Sequence, residues 1–109
     1  MRMEWLDPWW STEARAKAFH ETFRKQLELE VPPGHVLFGL PVKLIGRGNG
    51  DDALFEILDG TGRVAVVHLT WAKKQERLPF PGTEIFENIE AFYERRIRPE
   101  HEEWKNAQG

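Results

Sequence analysis

The sequence predicts a single α+β domain over residues 1–109, an antiparallel meander of three strands, or four, flanked by an N-terminal and a C-terminal helix. Three observations predict it. Apolar residues recur at helical spacing near both ends of the chain. Three runs of strand character lie between them. The connections between those runs carry Asn49-Gly50 and Asp59-Gly60, the dipeptides that favour tight hairpins. At 109 residues there is room for one core, which buries roughly 65% of the surface the unfolded chain exposes.

In chain order, Pro8 holds Asp7 out of the helical region and Ser11 is placed as an N-cap. A helix is expected from Thr12 to about Glu30, with Ala16, Phe19, Phe23, Leu27 and Val31 on one side and Glu13/Lys17 and Glu21/Lys25 as exposed i,i+4 pairs. Pro32-Pro33-Gly34 ends it. Strands follow at Val36 to about Gly46, about Ala53 to Leu58, and Arg63 to Trp71, with Pro41 marking the first as an edge strand or a strand split at a bulge.

Pairing Leu58 with Arg63 would put Phe55, Ile57, Val64, Val66 and His68 on one face. Leu54, Leu58, Ala65, Val67, Leu69 and Trp71 would share the other. Both faces are apolar, so one takes the first helix and the other needs a terminal helix or a partner chain. Ala72 to Gly82 reads as a loop because of its prolines. A last helix, N-capped by Thr83 or Asn88, carries Ile89, Phe92, Tyr93 and Ile97, with Trp104 on the same side if the helix runs through Pro99. Pro99 is expected to start a second segment or leave a kink.

Composition removes several function classes. The net charge of −3 comes from 18 acidic and 15 basic residues that are interspersed, so there is no footprint for nucleic acid. The chain has no cysteine, which excludes disulfides, zinc–thiolate sites and thiol catalysis and permits a reducing compartment. The N-terminal stretch has no uninterrupted apolar segment of signal-peptide length, and no stretch anywhere approaches the ~20 residues of a membrane span. The expectation is a cytoplasmic protein without membrane contact.

The stretch from Arg63 to Trp71 comes nearest to chemistry. It is almost wholly apolar yet contains His68. On a strand covered on both faces, that imidazole needs an internal partner or lines a pocket. A core histidine satisfied by a carbonyl or hydroxyl is the favoured reading, because one histidine has no catalytic geometry by itself. The alternative is an enzyme or small-molecule pocket, with His68 as acid/base or anchoring group, Trp71 as a wall and Glu76 or His35 as a second polar group. Glu76 reaches His68 only if the Lys73 to Arg77 loop folds over the strand end.

No hydroxyl sits in a nucleophile-elbow context. His20, His35, His68 and His101 form no metal-binding motif, so no catalytic residue, metal or cofactor is expected. The Gly46-x-Gly48-x-Gly50 run joins two strands, and hairpin geometry accounts for its glycines. Five tryptophans make an aromatic surplus. Trp71 reads as core capping, whereas adjacent Trp9 and Trp10 cannot point the same way, so one should meet solvent, a partner or the sheet edge.

Val67-His68-Leu69-Thr70-Trp71, followed by Glu76 and the Leu78 to Pro81 stretch, resembles a strand-and-loop signature in a family of small uncharacterised bacterial proteins. The resemblance covers mainly the second half of the chain. It implies a bacterial cytosolic α+β domain and supplies no catalytic residue. The expected function is a non-enzymatic interaction or binding module, regulatory or toxin-neutralising, acting on a protein partner or as a homodimer. His68, Trp71, Glu76, Trp9 and Trp10 are its candidate binding residues.

Overall fold

A computed structural model describes residues 3–108. The fold is α+β, as expected, but the antiparallel sheet has five strands rather than three or four. They run in the order β1 (Trp10–Ser11), β2 (Val42–Arg47), β3 (Asp52–Ile57), β4 (Val64–His68) and β5 (Gly82–Phe86). Helix α1 (Lys17–Glu30) covers one face. Helix α2 (Ile89–Phe92), a π-helical segment (Tyr93–Ile97) and α3 (Arg98–Gln108) follow β5, and this C-terminal run covers the other face.

The two extra strands arise at positions first assigned to helix caps. Ser11 pairs with Gly46 across the sheet instead of capping a helix. Thr12 is fully buried, its N–H donating to the Ile45 carbonyl at 3.1 Å. The chain then turns through a bond from Arg15 N–H to the Thr12 carbonyl, and α1 begins only at Lys17. The exposed pairs on α1 also differ, since Arg24 bridges Glu21 at 2.8 Å and Glu28 at 2.7 Å. Thr83 lies inside β5, while Asn88 caps α2 by accepting from Ala91 N–H at 2.8 Å.

The first predicted strand is shortened. Residues 32–40 form successive turns, with bonds from His35 N–H to Pro32, Phe38 N–H to His35 and Leu40 N–H to Leu37 carbonyls. Strand β2 therefore starts after Pro41, and it lies between β1 and β3, although β1 covers only its Gly46 and Arg47. The ladder is interrupted at Ile45, a bulge several residues beyond the proline.

Register in the β3–β4 hairpin is one residue away from the Leu58–Arg63 pairing. Phe55 faces Ala65 and Glu56 faces Val64, with Ile57 N–H donating to the Arg63 carbonyl at 3.0 Å. The turn takes up the extra residue because Gly62 supplies a φ of +79° that other residues rarely adopt. Asp59 braces it by accepting Thr61 N–H at 3.1 Å, Thr61 Oγ1–H at 2.6 Å and Arg63 Nη2–H at 2.9 Å. The hydrogen bonds from Thr61, then that from Arg63, pull the Asp59 carboxyl down to about 2.

This slip regroups both faces. Phe55, Ile57, Ala65, Val67 and Leu69 pack with Phe23 and Leu27 of α1. Leu54, Val64 and Val66 pack with Phe86, Phe92, Ile97 and Trp9. Burying each Val, Leu, Ile or Phe side chain among them contributes about 1.5–3 kcal/mol. Met3, Trp5 and Leu6 complete the second layer, so the chain itself covers both apolar faces.

The last helix passes Pro99 without breaking. Arg98 N–H reaches back five residues to the Tyr93 carbonyl, widening the turn just before a residue that has no N–H and whose ring crowds the preceding turn. The wider turn leaves Phe92 and Ile97, five residues apart, both fully buried against the sheet. No helix among the described residues is long and apolar enough to cross a membrane.

Candidate functional site

The end of β4 separates two polar clusters on opposite faces of the sheet. On the C-terminal-helix face, His68 is not enclosed. Its side chain is 65% exposed, and Nδ1 lies 3.0 Å from Asp52 Oδ1 on the facing residue of β3. The expected core environment is absent because β4 ends here and the register places His68 at the rim of the second face. Asp52 Oδ2 is 3.3 Å from Arg96 Nη2, and Arg96 also pairs with Glu84 at 3.2 Å and with Glu100. Burial lowers the pKa of the Arg96 guanidinium, but the hydrogen bond to Glu100 and the charges of Glu100, Asp52 and Glu84 outweigh this and leave it raised. Glu100 also accepts from the Trp9 indole N–H at 2.9 Å.

The network fastens the C-terminal helix to the sheet. Chemically, His68 is an exposed imidazole oriented by a carboxylate. No hydroxyl is hydrogen-bonded to it among the described residues, so no assembled nucleophile accompanies it. No three His, Asp or Glu side chains among the described residues converge as a metal site would require.

On the α1 face, Glu30 is fully buried at the C-terminus of α1. Its Oε1 accepts Thr70 N–H at 2.9 Å and lies 3.0 Å from Thr70 Oγ1. Its Oε2 accepts Trp71 N–H at 2.9 Å and Gln26 Nε2–H at 2.7 Å. The Glu30 carbonyl accepts Glu76 N–H at 2.9 Å. One residue thus holds both ends of a hairpin-like loop leaving β4.

Thr70 Oγ1 is also 2.5 Å from Glu76 Oε2, so two carboxyl groups compete for one hydroxyl proton. Trp71 is held in a left-handed conformation, φ +58°, that a bulky residue adopts only when its surroundings enforce it. Its ring meets Phe23 of α1 edge-on, with centroids 5.1 Å apart.

The candidate residues therefore separate. Trp71 and Glu76 are brought together by Glu30 and Thr70, and Glu76 turns to Thr70 instead of His68. His68 and Trp71 lie on opposite faces, the one against Asp52 and the other against Phe23. Trp9 is buried against Phe92, with ring centroids 5.0 Å apart. Trp10 is half-buried on the other face, near Phe19 and beneath the Arg15 guanidinium. Gly46 and Gly48 make room for indoles, since a Cβ at either would fall within 2.5 Å of Trp5 and 2.7 Å of Trp9 respectively.

His35 fills the role of satisfied core histidine first assigned to His68. Leu37 N–H donates to its Nδ1 at 3.0 Å, which leaves Nε2 as the donor to the Pro81 carbonyl at 2.9 Å. That bond joins the 32–40 turns to the 70–81 loop, and Leu78 packs over Gly34 at the same seam. The two joined loops carry large apolar side chains in solvent: Val36, Phe38, Leu78 and Phe80 are each more than half exposed, at 61, 53, 55 and 54%. Glu30 itself was detectable in the sequence, because it continues the Phe23–Leu27 stripe at i+3 and so falls on the buried side of α1.

Compared with models of protein families, with curated proteins and with solved structures, the chain gives no match.

Proposed function

We propose that this protein is a non-enzymatic interaction module that docks a protein partner, or a second copy of itself, through the joined 32–40 and 70–81 loops. The observation that carries the reading is the exposure of Val36, Phe38, Leu78 and Phe80 on two loops tied together by the His35–Pro81 bond. Exposed apolar side chains grouped on fixed backbone are what binding surfaces present, whereas solitary ones are common on any surface. The Glu30 cluster supports it further by holding the second loop in one shape before any partner arrives, which lowers the ordering penalty of association. A cytoplasmic setting belongs to the same proposal and agrees with the absence of cysteine.

The test compares the wild-type chain with a Phe38→Ser/Phe80→Ser variant that melts at the same temperature. Co-purification from the native host and solution mass across concentration are both read. The expected result is a defined partner, or a dimer, that the variant loses. A wild-type chain that stays monomeric and retains the same proteins as the variant would overturn the reading.

A further inference from the structure

Strand β2 has an outer edge that β1 pairs with at Gly46 and Arg47 alone. The direction of its main-chain groups follows from the ladder. Ile57 N–H donates to the Arg63 carbonyl, so the odd-numbered residues of β3 face β4 and the even-numbered ones face β2. Lys43, paired with Glu56, and Pro41, whose carbonyl accepts Leu58 N–H at 2.8 Å, therefore turn inward, and Val42 and Leu44 turn outward. The Leu44 carbonyl agrees with this by accepting from Thr12 Oγ1 at 3.4 Å. The Leu44 N–H and both main-chain groups of Val42 find no partner among the described residues, although Leu44 is only 1% and Val42 7% exposed. Main-chain groups buried to this degree are almost always paired.

Recesses open on either side of this edge. Beside Leu44 lies a cleft of about 690 Å³ walled by Trp5, Ile89 and His20, and beside Val42 a groove of about 400 Å³ lined by Leu27, Val31, Leu37 and Phe38. The groove lies on the α1 face, where the side chains of Val42 and Leu44 also pack. Edge strand and helix thus frame a slot with unmet hydrogen-bonding groups along one wall and apolar side chains along the other.

We propose that this slot takes an extended peptide segment of a partner protein as an added antiparallel strand on β2. The Val42 N–H and C=O and the Leu44 N–H, two residues apart, stand at the repeat of an extended backbone, which one strand satisfies together and a compact small molecule does not. Main-chain bonds hold the segment, and its side chains opposite Val42 and Leu44 turn towards α1 and the apolar groove. Nearby charges do not select it, since Lys43 stands opposite Glu56 and Lys17 is flanked by Glu13 and Glu21, so the segment is recognised as uncharged and apolar at alternate positions. The slot goes beyond docking at the joined loops and shares only Phe38 with them, so either can fail alone.

The test follows amide NMR shifts and hydrogen exchange of the full chain with the peptide acetyl-Thr-Val-Thr-Leu-Thr-amide as probe. It should give saturable shifts centred on the Val42 and Leu44 amides, with a Kd below about 1 mM, and should slow exchange at both. Methylating the Val and Leu nitrogens, which face β2 in the added strand, should weaken binding at least roughly ten-fold. Methylating the central Thr nitrogen, which faces away, should change it by less than about two-fold. Phe80→Ser, which alters the joined loops and not the slot, should bind the probe as the wild type does. No saturation, equal loss on methylating either set of nitrogens, or shifts centred on Thr83 and Ile85 at the opposite edge of the sheet would each overturn the proposal.

Discussion

The two sides of the last residues of β4 solve opposite problems. On the α1 side, the fully buried Glu30 carboxylate is surrounded by main-chain and side-chain donors from Thr70, Trp71 and Gln26. On the other side, Asp52 holds the His68 imidazole with one carboxylate oxygen and the Arg96 guanidinium with the other, at a rim that remains partly in water. A buried carboxylate whose donors are all in place fixes geometry, because breaking any bond strands a polar group away from solvent. A rim network can exchange each partner for water at little cost. The buried cluster therefore sets the shape of the 70–81 loop, while the rim network adjusts how firmly the C-terminal helix sits.

Mutations sharpen this contrast in order of effect. Glu30→Ala removes an acceptor for four donors and should lower stability by about 3 kcal/mol, measured by urea unfolding. A loss under about 1 kcal/mol would place Glu30 with the rim groups. Arg96→Met takes the cation from between Asp52, Glu84 and Glu100 and should cost about 1 kcal/mol, with the deficit shrinking as salt is raised. A salt-independent deficit would mean that this network behaves as a buried one. Glu76→Gln gives Thr70 Oγ1 a donor in place of a competing acceptor and should leave stability within about 0.5 kcal/mol of wild type, or slightly above it. A large loss would show that the Glu76 carboxylate is required in its own right.

The smallest effect is on the β3–β4 turn and depends on pH. The folded state holds the Asp59 carboxyl at about 2, below its ordinary 3.8. Its contribution is therefore fully present above the ordinary value and is lost as pH falls through about 2. Asp59→Asn should show a constant deficit near neutrality that vanishes towards the acid end, read as melting temperature against pH. A deficit independent of pH would contradict the role of the charge.

Much of the architecture was legible in the sequence because it rests on strong local signals. Helical spacing located the two helical ends, and Asn49-Gly50 and Asp59-Gly60 located two hairpins. What escaped depended on long-range pairing. Strand β1 is only two residues long and exists through its bonds to Gly46 and Arg47. Strand β5 follows two prolines that read as loop. Register slipped by one because Gly62, with its positive φ, lengthens the turn, and that slip carries His68 to the rim.

The buried polar role expected for His68 falls to His35 and Glu30, whose partners lie 46 and 40–41 residues away. For Glu30 the helical stripe did contain the signal. For His35 nothing in the sequence places the Pro81 carbonyl beside it.

Hydrogen exchange at the Thr70 and Trp71 amides tests most directly whether Glu30 holds the loop that presents Leu78 and Phe80. Both residues are exposed and lie outside regular structure, yet their N–H groups donate to a buried carboxylate. The account predicts protection close to that of the β4 amides, abolished by Glu30→Ala while Asp52 and Val66 amides stay protected. Exchange in the wild type as fast as at Lys73 and Lys74 would contradict it.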